Sequence, residues 1–107
     1  MENKEECFSL SLDAHVQGND AKGIKFKEKT STKEISSEKA VFELKTRVLI
    51  GTKLKAFLLI PKTLVLGSPL KLTVSGEVIK AVKDSNNHGE QSIFLKLNKN
   101  FRIQKSN

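Results

Sequence analysis

From Phe8 onward, apolar and polar residues alternate with a period of two. Phe8, Leu10, Leu12, Ala14 and Val16 are interleaved with Ser9, Ser11, Asp13 and His15, the pattern of a strand with one buried and one solvated face. Residues 17–23 (Gln, Gly, Asn, Asp, Ala, Lys, Gly) form a turn cluster rich in types that tolerate positive φ. A second strand follows, with Ile24, Phe26 and Glu28 alternating with Lys25, Lys27 and Lys29. Alternation resumes at Ala40, Phe42 and Leu44 after a polar connection that begins near Thr30. Residues 48–52 read as an apolar turn-in. Leu54, Ala56, Leu58 and Ile60 then define one face of a long strand, with Phe57 and Leu59 on the other, and Pro61 ends it.

A turn at residues 66–69 leads into a further long run, in which Leu70, Leu72, Val74, Gly76 and Val78 share a face. Gly76 is expected to mark a bulge or bend. Residues 84–89, with two asparagines and a glycine, form the clearest hairpin loop, and Ile93, Leu95 and Leu97 alternate after it. Six strands with short connections and no helical stripe suit a sheet that curls on itself and removes its edges. The expected fold is all-β, a small six-stranded antiparallel barrel. It forms a single domain over residues 1–107, with its core at about 8–98 and a polar, frayed tail at about 99–107.

Composition narrows the function. The 107 residues, 37% apolar and 29% charged, suit one folded domain. No apolar run approaches the roughly 20 residues a membrane helix needs, so no membrane insertion is expected. The acidic start, Glu2, Glu5 and Glu6, lacks the basic-then-apolar order of a signal peptide. A single cysteine, Cys7, precludes an internal disulfide. Both features point to the cytoplasm. The net charge of +7 invites a nucleic-acid reading, yet all nineteen basic residues except Arg47 and Arg102 are lysines, spread along the whole chain. Lysine lacks the planar fork that reads guanine edges. Six phenylalanines stand without tyrosine or tryptophan, and Phe8, Phe26, Phe42 and Phe94 lie in or beside apolar runs, where core placement is expected rather than base stacking. Nucleic acid is therefore not the expected partner, and a solvated lysine surface is the plainer reading.

Catalytic and metal chemistry find little footing. His15, His88 and Cys7 have no ligand spacing, so no metal site and no cofactor are expected. The six glycines form no phosphate-cradling motif. Nothing pairs Glu28, Glu34, Glu38 or Glu43 in an apolar pocket for acid–base work. The chain is not expected to be an enzyme.

One resemblance adds to this. Gly18, Asp20 and Gly23 form a G-x-D-x-x-G turn; Phe26, Glu28, Thr30 and Thr32 follow as F-x-E-x-T-x-T. Glu34, Ser36 and Lys39 then fall where a D/N-x-S-x-x-G motif would stand. With Gly51-Thr52, Leu59-Ile60-Pro61, Leu66-Gly67 and Gly76-Glu77-Val78, this order resembles a variety of bacterial PilZ domain over residues 8–98. The resemblance implies a six-stranded barrel and a role as a receptor for cyclic di-GMP. It also implies an R-x-x-x-R clamp before the first strand, where this chain has Asn3, Lys4, Glu5, Glu6 and Cys7 and no arginine. Lys39 replaces the motif's glycine, and Glu34 its Asp or Asn.

The expected function is a non-catalytic PilZ-like adaptor in cyclic di-GMP-type signalling, with a protein partner and weak or lost nucleotide binding. A second reading is a receptor for cyclic di-GMP whose non-standard site uses Glu34, Ser36, Lys39, Lys22, Lys25 and Lys27. A third is a basic barrel that binds single-stranded nucleic acid.

Overall fold

A computed structural model describes residues 11–61, 70–83 and 90–98, together with the backbone of 102–105. The described residues form seven strands: β1 (Asp13–Asn19), β2 (Lys25–Ile35), β3 (Lys39–Leu44), β4 (Lys53–Ile60), β5 (Leu70–Lys83), β6 (Gln91–Leu97) and β7 (Arg102–Lys105). They form one antiparallel sheet in the order β4-β1-β2-β3-β6-β5-β7, and a β4–β5 pairing closes the first six into a barrel. The length of β5 makes closure possible. Its first half pairs with β4 from Leu70 to Glu77, while its second half pairs with β6 from Gly76 to Lys83. The expected six-stranded antiparallel barrel is the fold observed. No described helix is long and apolar enough to cross a membrane.

The period of two sorts each strand into an inner and an outer face. Ala14 and Val16 face inward, as do Ala40, Phe42 and Leu44, Leu54, Ala56 and Leu58, Val74 and Val78, and Ile93 and Leu95. Phe42 is wholly buried and has the largest side chain at the centre. Two bulges reset the alternation. One lies between Thr32 and Glu34, so that Thr32 and Ile35, three positions apart, both point toward the core. The buried Thr32 hydroxyl accepts the Leu12 N–H at 2.9 Å, which keeps that donor from being buried without a partner. The other bulge lies between Val78 and Lys80 and leaves Ile79 exposed.

Several expectations are corrected. β1 continues through Gly18 to Asn19, and the turn is confined to residues 20–24. β2 runs on to Ile35, so most of the polar connection expected from Thr30 is strand; Thr30 Oγ1 donates to the Glu43 carbonyl at 2.7 Å across the β2–β3 pair. The β5 bulge falls after Val78, not at Gly76. At Gly76 the reason for glycine is space, because a Cβ there would overlap the Lys96 carbonyl oxygen. Residues 102–105 are not a frayed tail but β7, which pairs with the first residues of β5 from Thr73↔Arg102 to Leu70↔Lys105. Phe94 belongs to the outer face between Ile93 and Leu95, with the Lys80 ammonium 5.1 Å from its ring centre. Phe8, Cys7, His88, the 66–69 turn and the 84–89 loop lie outside the described residues.

Candidate functional site

β2 sets the geometry of the candidate residues. At about 3.3 Å per residue, its eleven residues span roughly 35 Å. Lys25 and Lys27 lie at one end of it, beside the turn that carries Lys22; Glu34 lies at the other, beside the turn that carries Ser36. The fold therefore divides the six candidates into two sets at opposite ends of the barrel and does not bring them into one site.

At the Glu34 end, residues 36–38 connect β2 to β3. Ser36 is buried, and its hydroxyl accepts the backbone N–H groups of Glu38 and Lys39, each at 3.1 Å. Ser36 N–H donates to the Lys39 carbonyl at 2.9 Å, and Leu97 N–H donates to the Glu38 carbonyl at 2.8 Å. The serine thus shapes a tight turn by bonding its own backbone. Lys39 pairs directly with Lys96 across β3 and β6. Glu34 sits on the outer face, opposite Val41 and next to the bulge. Glu43, from β3, forms a 2.7 Å ion pair with Lys33.

The opposite end is built around Asp20. Its carboxylate accepts the Lys22 and Ile24 N–H groups at 2.8 and 2.9 Å, closing the β1–β2 turn. Lys22, in that turn, and Lys25, the first residue of β2, are exposed. The turn is bonded in addition to the segment 45–52, through Ala21 N–H to the Arg47 carbonyl at 2.8 Å.

That segment is anchored along its whole length. Glu28, on β2, accepts the Lys45 N–H at 2.6 Å, the Thr46 N–H at 3.0 Å and the Thr46 hydroxyl at 2.7 Å. Gln91 Oε1 accepts the Val48 N–H at 3.0 Å, and Val48 is buried against the core. Gly51, at φ 94°, turns the chain back: its N–H donates to the Val78 carbonyl, and Val78 N–H donates to the Thr52 carbonyl. The outcome is a firmly held turn with Leu49 56% and Ile50 66% exposed. Ile24 in the adjoining turn and Ile79 beside Val78 are exposed as well. The apolar turn-in expected at residues 48–52 buries only Val48. Leu49 and Ile50 are functional candidates that sequence reasoning missed; the signal was an apolar pair directly before a glycine that turns the chain.

The outer face of β2, β1 and β4 carries the second unforeseen cluster. β1 lies between the other two, with Gln17 opposite Lys27 on one side and Lys55 on the other. A groove of about 610 Å³ runs along this face, and a second of about 370 Å³ adjoins it at Gln17 and Lys27. Among the described residues, no group of three or more His, Cys, Asp and Glu side chains is placed to hold a metal ion.

Among solved structures, the barrel matches that of the Bacillus subtilis inhibitor of motility (MotI/DgrA), with a TM-score of 0.69 and 13% sequence identity. The match covers 91% of this chain and 43% of that one, so the chain spans less than half the length of that protein. The likeness shows the fold. No family model and no curated protein matches the sequence.

Proposed function

We propose that this barrel is a non-catalytic, PilZ-like adaptor that works in the cytoplasm by protein contact, in cyclic di-GMP-type signalling, with its own nucleotide binding weak or lost. The observation that carries the reading is the firmly anchored turn with Leu49 and Ile50 exposed. Large aliphatic side chains held out into water on a rigid support are a mark of a contact surface. Ile24 and Ile79 belong to elements bonded to the same segment, so all four stand at one end of the barrel. Exposed cations in or next to these elements include Lys22, Lys25, Lys45, Arg47, Lys53 and Lys80. Lost nucleotide binding is supported at the other end, where the Ser36 hydroxyl is engaged with its own turn and Lys39 faces Lys96. The separation of Lys22, Lys25 and Lys27 from Glu34, Ser36 and Lys39 weighs against a receptor site that uses all six. The likeness to a protein named as an inhibitor of motility fits a regulatory rather than a catalytic role.

The test places a photo-crosslinking residue at position 50 in the protein's own host. A discrete adduct with one protein is expected, absent when the same residue stands at position 83 and lost in Leu49→Asp. Leu49→Asp should change stability by no more than about 0.5 kcal/mol, as exposed substitutions do. Equal labelling from positions 50 and 83, or an adduct indifferent to Leu49→Asp, would sink the proposal.

A further inference from the structure

The fold gathers lysines that the sequence scatters. Lys25, Lys27 and Lys29 alternate on the outer face of β2, and Lys53 and Lys55 do so on β4. With β1 between these strands, Lys25 and Lys27 on one side and Lys53 and Lys55 on the other line one groove, with β1 as its floor. The pairing is explicit: Asn19 lies opposite Lys25, and Gln17 lies opposite both Lys27 and Lys55. The floor offers amide and imidazole groups from Asn19, Gln17 and His15, and no carboxylate until Asp13. Glu77, opposite Lys53, is the acidic residue at the rim. Where the smaller groove continues the larger, Phe57 lies opposite His15, half-buried on the outer face, with the Lys71 ammonium 5.6 Å from its ring centre.

We infer that this groove binds single-stranded nucleic acid without sequence preference. Three features point to a phosphodiester strand rather than to another polyanion. Lysines two apart on a strand recur about every 6.6 Å, so each wall presents a row of point charges to a running phosphate backbone. Phe57 supplies a ring face on which one base stacks, and stacking of this kind is indifferent to base identity. The amide floor offers donors and acceptors to base or sugar edges, beside Leu54 in the larger groove and Leu59 in the smaller. Lysine in place of arginine gives charge without bidentate readout, which suits binding that is blind to sequence. This groove is distinct from the Glu34 to Lys39 turn, and at its Lys25 and Lys53 end it adjoins the elements that carry Ile24, Leu49 and Ile50.

The experiment is fluorescence anisotropy of the full chain with a labelled oligo-dT of about twelve nucleotides. Four lysine–phosphate contacts give a slope of log affinity against log salt near −3, a loss of roughly fifty-fold between about 50 and 200 mM. Lys27→Glu with Lys55→Glu should weaken binding at least ten-fold at the lower salt. Lys83→Glu with Lys96→Glu, which removes the same net charge elsewhere, should change it less than three-fold. Phe57→Ala should cost roughly ten-fold and leave the salt slope unchanged. Amide spectra confirm that each variant is folded. No binding at 50 mM salt overturns the inference. So do equal losses in the two double variants, an unaffected Phe57→Ala, or equally tight binding of poly-glutamate.

Discussion

Gly76→Ala is expected to destabilise the protein by about 3 kcal/mol or more, the upper range for forcing an atom into a packed interior. A Cβ at this position overlaps the Lys96 carbonyl oxygen and approaches the Leu97 Cα at 3.0 Å. Both obstacles are backbone of β6, so no side-chain rotation relieves them. The residue also sits where β5 passes from β4 to β6, since Gly76 pairs with Leu54 on one side and Leu97 on the other. Moving the two strands apart there opens the barrel at its seam. For a domain of this size each kcal/mol shifts the melting temperature by about 4–8 °C, so a fall of at least 12 °C in a thermal melt is the expected reading. Gly23→Ala is the control. Its φ of +83° imposes strain, but nothing lies within 4 Å of the added atom, and the cost should stay near 1–2 kcal/mol.

Phe42→Ala should cost about 3–5 kcal/mol, the range for removing a large buried ring and leaving a cavity. Phe42 is fully buried. It stands on β3, opposite Thr32 of β2 and Ile93 of β6. Two neighbouring strands therefore lose packing at once. Typical domains have only about 5–15 kcal/mol of stability, so this variant stands close to unfolding. Denaturant melts should show a lower midpoint with an unchanged slope if only packing is lost. Phe94→Ala is the contrast, because Phe94 lies half-buried on the outer face, and its loss should cost about 1–2 kcal/mol.

Alternation made the barrel legible. Wherever one face of a strand meets the core and the other meets water, the sequence repeats every second residue, and β1, β4, β5 and β6 were readable from that alone. The bulges were not. A single extra residue at Lys33 or Ile79 leaves no mark in composition, yet it moves every later side chain to the opposite face. β2 therefore seemed to end at Lys29, where its residues become polar. In fact Thr30 and Thr32 continue the strand because each hydroxyl bonds to a neighbouring strand or segment. β7 was hidden for a similar reason, since four residues paired to the edge of β5 need no apolar stripe.

The candidate residues fared unevenly, for a physical reason. The F-x-E-x-T-x-T run was visible, but the sequence does not say what its polar groups touch. Glu28 holds residues 45 and 46, Thr30 bonds to Glu43, and Thr32 bonds to Leu12. They serve the scaffold. The lysine groove could not be read from spacing, since Lys25 and Lys53 come to flank one groove only because β1 lies between β2 and β4. Leu49 and Ile50 looked like core because hydropathy cannot distinguish an apolar pair facing inward from one facing out.

The most direct measurement is an amide-shift titration of the isotope-labelled chain with cyclic di-GMP at moderate salt. If the β2–β3 turn is structural, no saturable shifts are expected at Glu34, Ser36 or Lys39 up to millimolar ligand. Saturable shifts clustered on those three residues would contradict a purely structural turn and make it a nucleotide site.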